Sequence, residues 1–363
     1  MRLHCVGESM WAGSAEHLAE AARVLGSAQI TTGVWGAEVR EELSRINLAI
    51  ERNGPGVVPV PPDLLQHPEA EVLLVSFCPV SSDALDALPN LRIIGVARGG
   101  VENVDVAKAT ERGIVVVNAP GRNAEAVSDF AIGLLLAETR NIARGHHGIK
   151  SGKWILRYPN FRKVPQLRGK TMGLVGFGSI GRLVARKLRG FNMKVLVYDP
   201  FVTKEEVEGE GAKLVDKETL FKESDFVSIH ARLTESSWHV VGKKELSLMK
   251  PTAYIINTAR SGLVDTEALI EALSERRIMG AALDVFDIEP LPETSPLLTL
   301  DNVTLTPHLA GGTVEASTDS PRILVEGLQQ VLEGRPSRAV VNPKALEDQR
   351  FQTWLRQLSF KVG

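Results

Sequence analysis

Short runs rich in Val, Ile and Leu alternate with longer segments of helical period along much of this 363-residue chain. This alternation is typical of a parallel β-sheet whose two faces are covered by the helices that connect its strands. In the first part of the chain, apolar runs predict strands over 72–77, 91–97 and 114–118. The segments 81–88 and 104–112 between them predict short helices. The predicted fold class is therefore α/β.

The second part of the chain repeats the pattern after a long predicted helix over 124–143. Six apolar runs predict strands there: 172–175, 195–198, 226–229, 254–256, 281–283 and 303–305. Six parallel strands with intervening helices make a complete dinucleotide-binding unit. A last amphipathic helix over Val314–Leu332 is expected to return the chain to the first part. Before residue 63, loop signals over 54–56 and 59–62 are clear, but no strand is assigned.

Composition excludes several other classes of protein. The formal net charge of -2 leaves no basic excess for nucleic acid, and no apolar stretch is long enough to predict a membrane span. The N-terminus shows no basic-then-apolar signal sequence, so a cytoplasmic location is expected. The two cysteines, Cys5 and Cys78, lie in or beside apolar runs, which predicts reduced, buried thiols and no zinc site. Exposure of Cys78 to a cleft is the alternative.

A glycine-rich pattern of the form G-x-G-x-x-G follows the predicted strand 172–175 directly. It runs through Gly176, Phe177, Gly178, Ser179, Ile180 and Gly181. The first glycine permits a tight turn, the second lets the backbone approach a pyrophosphate, and the third lets helix and strand pack closely. Backbone amides at the start of the following helix then bind the phosphates. A tight turn with no ligand is the alternative, but the strand and helix context favours a dinucleotide site.

An acidic residue, Asp199, ends the next predicted strand, 18 residues after Gly181. A carboxylate at this distance accepts hydrogen bonds from a ribose diol and repels a 2′-phosphate. NAD is therefore predicted as the cofactor in preference to NADP. A simple turn before Pro200 is the alternative for Asp199.

Three polar residues follow the ends of different predicted strands: Arg260, Glu289 and His308. A guanidinium binds a carboxylate through two hydrogen bonds and polarises an adjacent carbonyl. An imidazole can take a hydroxyl proton as hydride leaves, and a neighbouring carboxylate would orient the ring and raise its pKa. This chemistry suits a 2-oxo or 2-hydroxy acid and needs no metal. Taken singly, each residue also has a non-catalytic interpretation. Arg260 would then be a surface charge, Glu289 an acid at a helix start, and His308 a loop histidine.

The segments around these residues resemble the signature blocks of the D-isomer-specific 2-hydroxyacid dehydrogenases. The matching blocks are 257–265, 282–290 and 306–310, and the resemblance extends over roughly 91–332. In that family, which includes the phosphoglycerate dehydrogenase-like branch, the catalytic arginine, glutamate and histidine occupy the positions of Arg260, Glu289 and His308. The resemblance implies an NAD-dependent enzyme that transfers a hydride to or from C2 of a small D-2-hydroxy acid, phosphorylated or sugar-derived acids included.

The resemblance also implies an organisation and further site residues. It implies two doubly wound parallel-sheet domains, with a Rossmann NAD-binding domain (121–312) inserted in a flavodoxin-like substrate domain (1–120 and 313–363), and a homodimer. It assigns Arg98, Gly99 and Gly100 to a substrate loop whose glycine amides meet the substrate carboxylate. The positions it places along the cofactor are His230, Ala231, Thr258 and, at the nicotinamide end, Asp284.

Some residues depart from the family pattern. Arg232 stands where proline is common, and it either contacts substrate or phosphate or is an exposed arginine paired with Glu235. Glu102 replaces a frequent aspartate, and Arg98 and Arg122 would suit a phosphorylated or polyhydroxylated acid. These departures leave the substrate open.

Two competing functions are weighed against the dehydrogenase. Formate oxidation on the same fold typically uses glutamine where this chain has the acidic Glu289, which argues against it. An NAD(H)-sensing binding protein, resembling the dehydrogenase-fold corepressors, would be expected to carry a peptide groove and appended disordered segments. Here residues 351–354 instead predict a short packed or oligomer-covering tail.

Overall fold

The structure is a computed structural model that describes residues 1–9, 14–26 and 29–359, with the backbone alone for Arg40, Ser44 and Ser359. The chain divides into two compact units, one formed by Met1–Arg122 with Val314–Gly363 and the other by Asn123–Thr313. Each unit is built on its own parallel sheet covered by helices. The predicted α/β class with two doubly wound parallel sheets is confirmed.

The first unit contains a five-stranded sheet in the order β2-β1-β3-β4-β5, which is the flavodoxin-like order. Its strands are β1 (Arg2–Glu8), β2 (Gln29–Trp35), β3 (Val72–Val75), β4 (Ile93–Val96) and β5 (Val115–Asn118). Its first helices are α1 (Ser14–Ala22), α2 (Arg40–Asn53), α3 (Pro62–Leu65), α4 (Ser82–Ala87) and α5 (Val106–Glu111). Every residue of β3, β4 and β5 is buried, so the continuous apolar runs that predicted them are explained by helices on both faces.

The second unit contains seven strands in the order β12-β11-β10-β9-β6-β7-β8, the Rossmann order with one further strand at the β12 edge. The strands are β6 (Thr171–Val175), β7 (Lys194–Tyr198), β8 (Lys213–Leu214), β9 (Phe226–Ile229), β10 (Tyr254–Asn257), β11 (Gly280–Leu283) and β12 (Val303–Leu305). The helices are α6 (Ala124–Thr139), α7 (Ile142–Lys150), α8 (Ser179–Leu188), α9 (Lys204–Gly209), α10 (Lys217–Glu223), α11 (Lys243–Leu248) and α12 (Thr266–Ser274).

Two details of the second unit differ from the sequence predictions. The sheet has seven strands and not six, because β8 is a two-residue edge strand too short to show a pattern. The helix predicted over 124–143 ends at Thr139, since Asn141 adopts a left-handed conformation with φ of 59° and α7 starts anew after it.

The chain returns to the first unit through α13 (Val314–Leu332), as predicted, and ends in α14 (Gln349–Ser359). Phe351 and Trp354 of α14 are buried in the core of this unit, and the Trp354 indole donates a hydrogen bond of 3.0 Å to Glu71 Oε1. The helix α14 is therefore a packed element of the first unit. Short 3₁₀ helices occupy Arg23–Leu25, Pro55–Val57, Arg189–Phe191, Glu235–Ser237, Ser261–Leu263, Pro296–Thr299 and Pro343–Glu347.

The two thiols are free and buried, as predicted. Burial raises the pKa of Cys5 to about 12, so this thiol stays protonated. Among the helices of the described residues, none has both the length and the apolar character needed to cross a membrane.

Candidate active site

The site predicted in the second unit lies along one edge of its sheet. Five strands end on residues that are in register with one another: Val175, Ile229, Asn257, Leu283 and Leu305. We call these five residues the terminal row. Neighbouring strands are about 4.8 Å apart. The residues that directly follow the terminal row therefore lie near one another at one edge of the sheet, although they are far apart in sequence. All the cofactor-binding and catalytic residues predicted for this unit follow the strand ends at this edge.

Glu289 and His308 form a hydrogen-bonded pair at this edge. His308 Nδ1 lies 2.9 Å from Glu289 Oε2, and the Phe286 amide donates to Glu289 Oε1 over 2.9 Å. Because an ionised carboxylate only accepts hydrogen bonds, the pair assigns a proton to Nδ1, and Nε2 is the ring nitrogen that does not bind Glu289. The His308 side chain is 42% exposed, so a small solute can reach the ring.

A buried aspartate holds the loop that carries His308. Asp284 is fully buried, and its Oδ1 accepts from the Thr306 hydroxyl over 2.6 Å and from the Leu309 amide over 2.9 Å. Its Oδ2 accepts from the Ala310 amide over 2.8 Å. His308 itself has φ of 53°, a conformation that a non-glycine residue keeps only when its surroundings impose it. The position that the resemblance placed at the nicotinamide end thus also shapes the loop of the histidine.

Asn257, which sequence reasoning missed, shapes the loop of Arg260. Its side-chain amide donates to the Arg260 carbonyl over 2.9 Å, and its Oδ1 accepts from the Ala259 amide over 3.0 Å. The Arg260 guanidinium is exposed and donates to the Ala259 carbonyl over 2.9 Å. An amide side chain at a strand end, three residues before an arginine, was the available signal. It was overlooked because an asparagine at a turn usually only stabilises that turn through hydrogen bonds to the nearby backbone.

The glycine loop is tightly packed at Gly176 and Gly181 and open at Gly178. Gly176 has φ of 96°, and a Cβ there would lie 2.5 Å from the Ala231 amide nitrogen. A Cβ on Gly181 would fall on the Gly176 carbonyl, whereas one on Gly178 would meet open space. Gly178 directly precedes α8, whose first-turn amides have no partner within the helix. The loop therefore presents backbone donors at an unobstructed position, which fits a pyrophosphate.

Asp199, which is predicted to bind the ribose, also accepts hydrogen bonds from the backbone around the glycine loop. Its Oδ2 accepts from the Phe177 amide over 2.7 Å, and its Oδ1 accepts from the Phe201 amide over 2.8 Å. The carboxylate is thereby fixed beside the glycine loop while remaining partly exposed. Each oxygen has a further lone pair, so a ribose diol can still donate to it.

Two buried polar atoms next to this edge also point to a ligand. His230 Nδ1 and Thr258 Oγ1 have no hydrogen-bond partner among the described residues. His230 Nε2 lies 2.9 Å from the Ser228 hydroxyl, and burial lowers the pKa of His230 to about 4, so the ring is neutral. Unsatisfied buried groups are rare in folded proteins and call for an explanation. A bound dinucleotide with donors and acceptors along its length provides one.

The substrate loop predicted in the first unit is braced by its neighbours. Arg98 pairs with Glu51 over 2.7 Å, and its guanidinium lies 4.0 Å from the Phe77 ring centre. The Gly99 carbonyl accepts from the Asn118 side chain over 2.6 Å, while Gly100 precedes a turn and is half-buried. Arg98 is therefore a pre-oriented cation.

The other two arginines singled out in the sequence differ in their surroundings. Arg122 donates to the Ala316 carbonyl and the Ser320 hydroxyl, both over 3.1 Å, and burial lowers its pKa to about 10. It therefore braces α13. Arg232 is exposed and, within the described part of the chain, makes no ion pair with Glu235.

Comparison with known proteins agrees with this geometry. Residues 132–310 match the NAD binding domain of D-isomer specific 2-hydroxyacid dehydrogenases. A glyoxylate reductase of Thermofilum pendens is 43% identical over 271 residues, which are 74% of this chain and 80% of the relative. A D-3-phosphoglycerate dehydrogenase of Methanocaldococcus jannaschii is 43% identical over 276 residues, which are 76% of this chain. The chain spans about half of that second relative, since the match covers 52% of it.

A solved structure shares the fold over nearly the whole chain. The glyoxylate reductase of Paecilomyes thermophila superposes with a TM-score of 0.73 at 27% identity, covering 95% of this chain and 99% of that one. The chain therefore belongs to the D-isomer specific 2-hydroxyacid dehydrogenases. Its cofactor is NAD, in agreement with the NAD binding domain that the matching family model describes.

Proposed function

We propose that this enzyme transfers a hydride between the nicotinamide of NAD and C2 of a short D-2-hydroxy or 2-oxo acid. The observation that carries the proposal is the hydrogen-bonded pair of His308 and Glu289, 2.9 Å apart, at the same sheet edge as the glycine loop and Arg260. When bound, NAD⁺ would accept the hydride in oxidation, and NADH would donate it in reduction. The chain supplies the proton transfer, the anchoring of the acid and the shape of the site.

His308 is the general acid and base in this proposal. Its Nδ1 is bound by Glu289, so Nε2 takes the hydroxyl proton in oxidation and returns one in reduction. Glu289 stabilises the imidazolium that forms, because an opposite charge at hydrogen-bond distance favours the charged ring. Asp284 is a positioning residue that fixes the loop of His308 through hydrogen bonds from one hydroxyl and two amides.

Arg260 binds the substrate carboxylate and polarises the adjacent C2 oxygen. Asn257 holds its loop, so the guanidinium is presented from a shaped turn. As the family resemblance implies, we assign Gly99 and Gly100 of the first unit to substrate binding, and to Arg98 any further anionic group of the acid. The second unit, Asn123–Thr313, is then the NAD-binding domain and the first unit the substrate domain.

Oxidation of NADH with a panel of 2-oxo acids tests the proposal. The panel contains glyoxylate, hydroxypyruvate, its phosphate, pyruvate and longer sugar-derived acids. We expect turnover with at least one short acid, because the relatives include a glyoxylate reductase. Preference for the phosphate or for a sugar-derived acid would assign Arg98 to that extra group. NADH binding without turnover of any of these acids would contradict the proposed substrate class.

Replacement of Asp199 with alanine is expected to raise KM for NAD by about tenfold or more. The variant loses a hydrogen bond from ribose to a charged acceptor, an interaction of about 1.5–3 kcal/mol. The preference for NAD over NADP should also fall, because the charge that repels a 2′-phosphate is gone. Steady-state kinetics with both cofactors measure the two effects. Asp199→Asn is the companion variant: it keeps the size of the side chain but removes the charge and one of the two oxygens that accept from the Phe177 and Phe201 amides. An unchanged cofactor preference in both variants would refute the assignment.

We also propose that the enzyme is a homodimer whose contact includes α7 and the segment after it. Large apolar side chains are exposed there, among them Ile142 (58%), Ile149 (55%), Trp154 (81%) and Leu156 (76%). So much apolar surface on one stretch of chain marks a protein contact. A second copy of the chain is the occupant we propose, because a two-fold contact covers the same surface of both copies.

The double variant Trp154→Glu/Leu156→Glu is expected to sediment as a monomer, while the unaltered protein sediments as a dimer. Charges at the centre of an apolar contact are desolvated without partners. Leu298→Glu is the control, since Leu298 is 52% exposed elsewhere on the second unit. A monomeric parent protein, or a double variant that stays dimeric, would rule out this contact.

A further inference from the structure

Three side chains of the first unit that play no part in the proposed reaction come together beside its edge strand. They are His4 in β1, Asp63 in α3 and His67 just after α3. Each offers one ligand atom, and these atoms all lie within 4.8 Å of one another. His4 Nε2 is 2.7 Å from Asp63 Oδ2, and the centres of the two imidazole rings are 4.1 Å apart.

Both imidazole rings are oriented through their Nδ1 atoms. His4 Nδ1 lies 2.8 Å from the Thr31 hydroxyl, and His67 Nδ1 lies 3.3 Å from Glu69 Oε1. Histidines that bind metals usually have their second nitrogen held in this way by a hydroxyl, carbonyl or carboxylate oxygen. A metal ion bound through the Nε2 atoms would therefore take the place of the present hydrogen bond between His4 Nε2 and Asp63.

The backbone around the cluster makes space for it. A Cβ on Gly33 of β2 would fall on the carboxylate of Asp63, so glycine leaves the room that this carboxylate occupies. Thr31 stands two residues earlier on the same face of β2 and is the register partner of His4. The His4 ring is 1% exposed, whereas Asp63 and His67 are half-buried, so the cluster has one dry side and one side open to solution.

We propose that His4, Asp63 and His67 bind a divalent transition metal ion of the Zn²⁺ type. Two imidazoles and a carboxylate form a ligand set that suits such ions, and they leave a fourth position for water. Ligand atoms around tetrahedral zinc lie roughly 3.3 Å apart, given metal–ligand bonds of about 2.0–2.1 Å. The distances in the cluster, 2.7 Å between His4 Nε2 and Asp63 Oδ2 and at most 4.8 Å between any two ligand atoms, lie on either side of this value, so binding needs the His4–Asp63 pair to open slightly and the cluster as a whole to contract. Mg²⁺ and Ca²⁺ are excluded because they prefer all-oxygen ligand sets.

The ion would join β1 to α3 and to the segment after it. These parts are separated by more than fifty residues in sequence, so the link would stabilise the first unit against unfolding. Cysteine count predicted no zinc site, and this ligand set contains no cysteine. The site lies wholly in the first unit and is independent of the proposed hydride transfer.

Calorimetric titration of the chelator-treated full chain with Zn²⁺ tests the proposal. We expect one ion per chain and a higher thermal unfolding midpoint in its presence, with no comparable effect of Mg²⁺. Asp63→Asn and His67→Gln should each weaken binding by at least about 10²-fold, because each removes a direct ligand. Thr31→Val, which preserves volume and removes only the partner of His4 Nδ1, should weaken it by about 10–10²-fold.

Exposed histidines elsewhere provide the controls, since they also capture zinc weakly. His17→Gln on α1 and the double variant His146→Gln/His147→Gln on α7 should bind Zn²⁺ as the parent protein does. Circular dichroism of each variant establishes that it is folded. Absence of Zn²⁺ binding by the parent protein, or binding unchanged in folded His67→Gln and Asp63→Asn, would overturn the proposal and leave a hydrogen-bonded cluster without a metal.

Discussion

Replacement of His308 with alanine is expected to lower kcat by about 10²–10⁴-fold, the usual scale for a lost general acid or base. The imidazole is the titratable group that the Glu289 carboxylate orients, and its Nε2 is the atom that we propose exchanges a proton with substrate. NADH affinity should stay within about twofold, since the glycine loop and Asp199 belong to other loops of the sheet edge. Stopped-flow turnover and NADH fluorescence titration measure the two quantities separately.

Glu289→Gln refines the test of the same pair. Glutamine keeps the size of the side chain but does not stabilise an imidazolium, so kcat should fall and the pH dependence of kcat/KM should change. His17→Ala, an exposed histidine on α1, is the control and should retain full activity. If His308→Ala keeps its kcat, or loses activity only through weaker NADH binding, the acid–base assignment is wrong.

Arg260→Ala is expected to lower kcat/KM by about 10²–10³-fold, the effect of removing a donor from a site where negative charge develops. The guanidinium is assigned to the substrate carboxylate and the C2 oxygen, so both KM and kcat should worsen. Arg260→Lys should recover only part of the loss, because an ammonium cannot make the paired, planar contact. The measurement is steady-state kinetics with the best acid of the panel.

Arg168 provides the matched control for this prediction. It is an exposed arginine that precedes β6, at the opposite edge of the sheet, so Arg168→Ala should leave kcat/KM unchanged. An equal effect of both substitutions would indicate a general influence of surface charge. Full recovery of activity in Arg260→Lys would show that charge alone suffices and would contradict the paired contact.

Strands buried on both faces were the most predictable parts of the fold. β9, β10 and β11 are mostly apolar and buried at every position, because helices cover both sides of the sheet. In contrast, β1 and β2 were missed. β1 carries His4 and Gly7, and β2 is a half-exposed edge strand with polar residues, so neither shows an apolar run. Their identity as strands depends on pairing with each other and with β3.

The candidate site likewise contains residues that could be proposed from the sequence and residues that could not. Residues whose role depends on type and position after a strand, such as Arg260, His308 and Gly176, were proposed from the sequence because parallel strands all end at one edge. Asn257 was missed and the loop contacts of Asp284 were not foreseen. Their importance comes from hydrogen bonds to particular loop atoms, and those bonds exist only once the loops have folded.

The sequence by itself determined the α/β class, the glycine loop with its acidic partner, and the three side chains proposed for the chemistry. Each is a local pattern of residue type and spacing that a strand, a turn or a helix start imposes on its own segment. The tertiary structure alone decided the registered row of strand ends, the support of His308 by Asp284, and the meeting of His4 with Asp63 and His67. These features join residues far apart in sequence, so they arise from packing and strand pairing, which no short segment encodes.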